Sequence, residues 1–139
     1  MRRTLELLDG RAVVAGGGVA LAVAVPTLVA GVVLDPSDES NIVLLLYGLV
    51  MVGFTLGGVW AARQRPDAPF ANGACAALAA YAAIALVSSI VRLVRGRSIE
   101  PVPLLFNAFM AATFGIIGGL LAGRPRTGPP ERSSGARRR

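Results

Sequence analysis

Three carboxylates, Asp35, Asp38 and Glu39, fall within the short stretch DPSDESN (35–41). Oxygen ligands grouped in this way suit a hard divalent cation. Their spacing follows no established calcium loop, however, and a solvated acidic turn accounts for them better. The chain has no His, which removes the commonest proton carrier and metal ligand. Its one cysteine, Cys75, has no partner for an intrachain disulfide and lies in an apolar run, where a thiol acts as a small hydrophobe. The other polar candidates, Thr55, Asn72, Tyr81, Asn107 and Thr113, are scattered through apolar sequence. Asn107 stands out because an amide in hydrocarbon needs a partner. It would touch a solute or headgroup, or more simply make an interhelical hydrogen bond worth about 0.6–2 kcal/mol. A reaction centre needs a nucleophile with a base, or a metal site. Neither pattern is present, so we expect no enzyme, no cofactor and no metal.

The residues between these candidates dictate the fold class. The chain has 139 residues and a mean hydropathy of +0.63, with 54 % hydrophobic and 16 % charged residues. Residues 12–34, 42–62, 70–91 and 102–123 contain no Asp, Glu, Lys or Arg. About 20 apolar residues in a helix cross the hydrocarbon core, and lipid leaves the backbone no partner outside the helix itself. The expectation is an all-α polytopic protein, a bundle of four transmembrane helices in one domain (12–123). A basic leader (1–11) would precede it and an Arg-rich, disordered tail (124–139) follow it. Because four long runs are present, the basic start reads as an uncleaved first helix rather than a signal peptide. The leader either lies along the interface or is disordered.

Small residues dominate the spans. Gly16, Ala20 and Ala24 make one smooth face of the first, in which Pro26 predicts a static bend. The second closes on GFTLGGVWAAR (53–63), where Gly53, Gly57 and Gly58 predict close helix packing. Trp60 and Arg63 there predict an interface anchor. The third span is alanine-rich and reads as the inner helix. It should continue past the membrane through Arg92 and Arg95, because nothing breaks it before Gly96. The fourth repeats the packing signal at Gly115, Gly119 and Gly123 and ends at Arg124 as its own anchor. GGVWAAR (57–63) is echoed by GGLLAGR (118–124), which is compatible with two parallel-repeat hairpins and equally with coincidence in a Gly/Ala-rich chain.

All 14 basic residues are Arg, and the net charge is +6. They lie in connections and tails, where anionic lipid headgroups are nearer partners than nucleic acid. With the amino terminus inside, eleven Arg face the cytoplasm and three, Arg92, Arg95 and Arg97, face out. The positive-inside rule therefore places both termini in the cytoplasm, and the Arg-only, Ala/Gly/Val-rich usage suggests a high-GC bacterial genome and hence a bacterial plasma membrane. On the outer side, Arg95 or Arg97 would pair with Asp38 or Glu39.

Four spans, GGVWAAR closing the second, and Asn72-Gly73 opening the third after a short basic turn together resemble small four-span integral membrane proteins of Gram-positive and actinobacterial type. The two-proline turn at 66–69 is longer and stiffer than that pattern. The resemblance implies a multi-pass fold and no activity. The expected role is a non-enzymatic packing or accessory protein that associates, through its glycine faces, with itself or another membrane protein. The rival is a small transporter or channel subunit acting as an oligomer. Small multidrug exporters rely on a membrane-embedded Glu in the first helix, and none stands here.

Overall fold

The computed structural model describes residues 9–34 and 41–123. Four helices fill them: α1 (Gly10–Leu34), α2 (Asn41–Gln64), α3 (Pro69–Val94) and α4 (Pro101–Ala122). Each is long and apolar enough to cross a membrane, so the protein is an all-α, multi-pass four-helix bundle.

Local signals start and stop these helices. Asp9 precedes α1 and accepts the Arg11 amide on its side chain at 2.9 Å, while its carbonyl accepts the Val13 amide at 3.0 Å. That is an N-cap, and it starts the helix two residues before the charge-free run. Pro69 and Pro101 occupy the first turns of α3 and α4, where the missing N–H costs nothing. At the end of α3, Gly96 adopts φ 68°. Its amide donates to the Leu93 carbonyl at 3.0 Å, and the Arg97 amide donates to Arg92 at 2.9 Å. This Schellman closure stops the helix at Val94, past Arg92 but one residue short of Arg95, which becomes the C-cap. α1 runs unbroken through Pro26, which is exposed.

The pairs of residues in contact set the topology. Gly16 of α1 meets Gly57 of α2, and Ala20 meets Gly53, so these helices are antiparallel. Gly73 of α3 meets Gly115 of α4, and Tyr81 meets Leu104, again antiparallel. α2 and α4 run parallel, with Tyr47 beside Asn107 and Gly58 beside Gly115. The chain therefore goes up, down, up, down. α2 and α3 each touch the other three helices, while α1 and α4 do not touch. The alanine-rich α3 is thus central, but it shares the centre with α2. The two hairpins are not placed equivalently, because α2 touches α3 while its counterpart α4 stays clear of α1.

Burial is concentrated toward one end of the bundle. The buried residues are 12–27 in α1, 51–62 in α2, 72–80 in α3 and 111–119 in α4. Most lie toward the end carrying the start of α1 and the end of α4, with Ala24 and Thr27 of α1 reaching beyond it. Nearly all are Gly or Ala, with Phe54 and Met51 the only bulky hydrophobic members. Small residues let backbones approach. The opposite half carries exposed Val, Leu, Ile and Phe side chains. The bundle is therefore tight, with backbones in contact, at the end carrying the start of α1 and the end of α4, and open, with its side chains exposed, at the other.

Candidate functional site

The double glycine at 57–58 divides its two members between neighbours. A Cβ at Gly57 would stand 2.6 Å from the Gly16 carbonyl oxygen and 2.8 Å from Ala20 Cβ on α1. A Cβ at Gly58 would fall on the Gly115 carbonyl oxygen of α4. Consecutive residues on a helix are about 100° apart, so one dipeptide serves two interfaces. Gly53 faces Ala20 and Val23 of α1, and Gly119 faces Pro69 and Phe70 of α3. Gly115 lies between Gly58 and Gly73. Gly118 faces the Thr55 carbonyl, so the two echoed segments pack against each other. Gly123 differs: it is exposed at the end of α4, where a Cβ would meet only the Pro69 ring and the Gly119 carbonyl at ordinary contact distances. The close-packing glycines are spent inside this chain and do not present their faces to a partner. Sequence could not distinguish these uses, since a GxxxG step serves either equally.

Trp60 and Arg63 are exposed near the end of α2. Arg95 and Arg97 lie in and beyond the turn that ends α3, also exposed. Their expected partners Asp38 and Glu39, the rest of the acidic stretch 35–40, and Arg124 with the tail lie outside the described residues.

Two polar clusters occupy the two ends of the bundle. At the tight end, Asp9 Oδ2 accepts Arg65 Nε at 3.0 Å, and the Asp9 amide donates to Asn72 Oδ1 at 3.2 Å. Asn72 is fully buried, and its side-chain amide donates to the Ala68 carbonyl at 3.0 Å. Three segments are thereby tied: the start of α1, the 64–69 turn and the start of α3. The Arg65 guanidinium, with the Arg11 amide, holds the Asp9 carboxyl below the usual carboxylate range. Reading 1–11 as a generic leader missed this role. The available signal was an Asp one residue before an apolar helix.

At the open end, the Tyr47 hydroxyl donates to Asn107 Oδ1 at 2.6 Å, joining α2 to α4. The partner expected for the Asn107 amide is thus supplied from within the bundle. The Tyr81 hydroxyl donates to the Leu104 carbonyl at 2.7 Å. Thr55 and Thr113 return their hydroxyls to the carbonyls of Met51 and Phe109 on their own helices. Beside Asn107, a cavity of about 200 Å³ opens between α3 and α4, with Ser88, Ser89, Arg92 and Glu100 among its lining. A cation, an anion and hydroxyls in one shallow cavity can bind a polar group. No metal-binding cluster of His, Cys, Asp or Glu forms among the described residues.

No protein-family model, no curated protein and no solved structure matches the chain.

Proposed function

We propose that this is a non-enzymatic accessory protein of the bacterial plasma membrane, with both termini cytoplasmic and its Arg-rich tail against anionic headgroups. It would act by packing against a second copy or another membrane protein. The observation that carries this reading is the outer face of α1. Val14, Gly18, Ala22, Val25 and Val29 recur at helical spacing and are all exposed. A Cβ at Gly18 would meet nothing. α1 contacts α2 and α3 on its other sides. Small-xxx-small faces are those on which membrane helices associate. The surface offered to a partner is therefore the Gly18–Ala22 step, in place of the glycine faces first expected to carry association. Transport through one copy has less support: Met51, Phe54, Ala77, Ala80 and Ala111 pack together across the bundle.

Crosslinking in the native membrane, followed by identification of what is captured, tests this role. A Gly18-dependent adduct is expected, and recovery of monomer alone counts against it. Labelling single cysteines at positions 37 and 98 tests the orientation. Reaction from the outside is expected at both, and reaction only from the cytoplasm would reverse the topology.

A further inference from the structure

The cavity between α3 and α4 does not end at its polar lining. Tyr81, Ala85, Ser89 and Leu104 border it and also border a long apolar groove that continues between the same helices past Leu86 and Ala82 to Leu78. From Ser89 to Leu78 the groove follows eleven residues of α3, about 16 Å at 1.5 Å per residue. One leaflet of the hydrocarbon core is about 15 Å deep. The groove is thus as long as the layer in which one acyl chain lies.

The ionic groups are at the matching depth. Arg92 is in the last turn of α3, and Glu100 immediately precedes α4. Both line the cavity, both are exposed, and they make no ion pair with each other. Charges at helix ends sit at the level of lipid headgroups. An anion alone would satisfy Arg92 and be repelled by Glu100. A quaternary ammonium offers Glu100 no N–H donor. A headgroup with a phosphate and a primary ammonium satisfies both.

We propose that the α3–α4 cleft is a binding site for a zwitterionic aminophospholipid of the phosphatidylethanolamine class. The phosphate lies at Arg92 with Ser88 and Ser89 beside it. The ammonium lies at Glu100, and one acyl chain follows the groove over Tyr81 toward Leu78. Tyr81 holds its hydroxyl on the Leu104 carbonyl, so its ring forms the floor where head cavity and groove join.

The test uses the full-length protein reconstituted in phosphatidylcholine vesicles. These contain equal minor amounts of phosphatidylethanolamine and phosphatidylglycerol. The protein is then extracted in mild detergent and weighed by native mass spectrometry. Retention of one phosphatidylethanolamine over phosphatidylglycerol by about threefold to fivefold is expected, the size of one partly exposed ion pair. Glu100→Gln should abolish that preference while still retaining a phospholipid. Arg92→Gln should lose both lipids, and Ala82→Trp, which fills the groove from an exposed position, should lose both with an unchanged helical circular dichroism spectrum. Equal retention of the two lipids by the wild type, no retained lipid, or a preference that survives Glu100→Gln would overturn the assignment.

Discussion

Gly58 of α2 lies against the backbone of Gly115 of α4, closely enough that a methyl group at either position would strike the partner helix or its neighbour. One residue earlier, Gly57 lies equally close to Gly16 of α1. α2 is therefore gripped from two sides at one level of the bundle. That level lies in the half where burial is concentrated.

The two kinds of glycine separate folding from association. Gly57→Leu should lower thermal stability in detergent strongly, since overpacking a tight contact costs about 1–3 kcal/mol or more, and here the obstacle is backbone. Gly18→Leu should leave that midpoint nearly unchanged and reduce only crosslinked adducts. Arg63→Gln, at an exposed site, should change stability less than Gly57→Leu. Equal midpoints for the two leucine variants would remove the distinction.

Methyl additions give a finer test. Gly58→Ala should destabilise by about 1–3 kcal/mol, because the added carbon meets the Gly115 carbonyl. Gly123→Ala should be neutral or stabilising by up to about 1 kcal/mol: its φ of −77° suits any residue and a methyl group would meet its neighbours at ordinary contact distances. Thermal melts of both purified variants, read by circular dichroism, check the contrast.

Tyr47→Phe removes the hydroxyl that meets Asn107. The expected loss is about 0.6–1.7 kcal/mol, the range for hydrogen bonds between membrane helices. A double-mutant cycle with Asn107→Leu should recover a coupling of that size. Additive effects would mean that the two side chains do not bond in the membrane.

The Asp9 tether should depend on pH in a defined direction. Its carboxyl is held below the ordinary range by Arg65 and the Arg11 amide. A lowered acid stabilises the fold above its unfolded pKa, and that contribution disappears as pH falls through the folded value. Asp9→Asn should therefore melt slightly below the wild type at neutral pH, and the two curves should converge at strongly acidic pH. A difference that persists there would assign the effect to the cap geometry rather than to charge.

Much of this architecture was legible in the residue order. Four charge-free runs of membrane length determine the number, type and approximate bounds of the helices, because a backbone in lipid has no partner except its own turns. Gly96 marks the end of α3 for a similarly local reason: the cap needs a positive φ. Pairing is not local. GGVWAAR states that α2 can be approached closely, but only the packed bundle sends Gly57 to α1, Gly58 to α4 and Gly18 to the outside. The same holds for Asp9, Arg65 and Asn72, which are separated by up to 63 residues and meet at one end. It holds too for Arg92 and Glu100, which line one cavity between α3 and α4. A sequence limits what each face of a helix can tolerate. Which face meets which depends on how four helices fill one volume together.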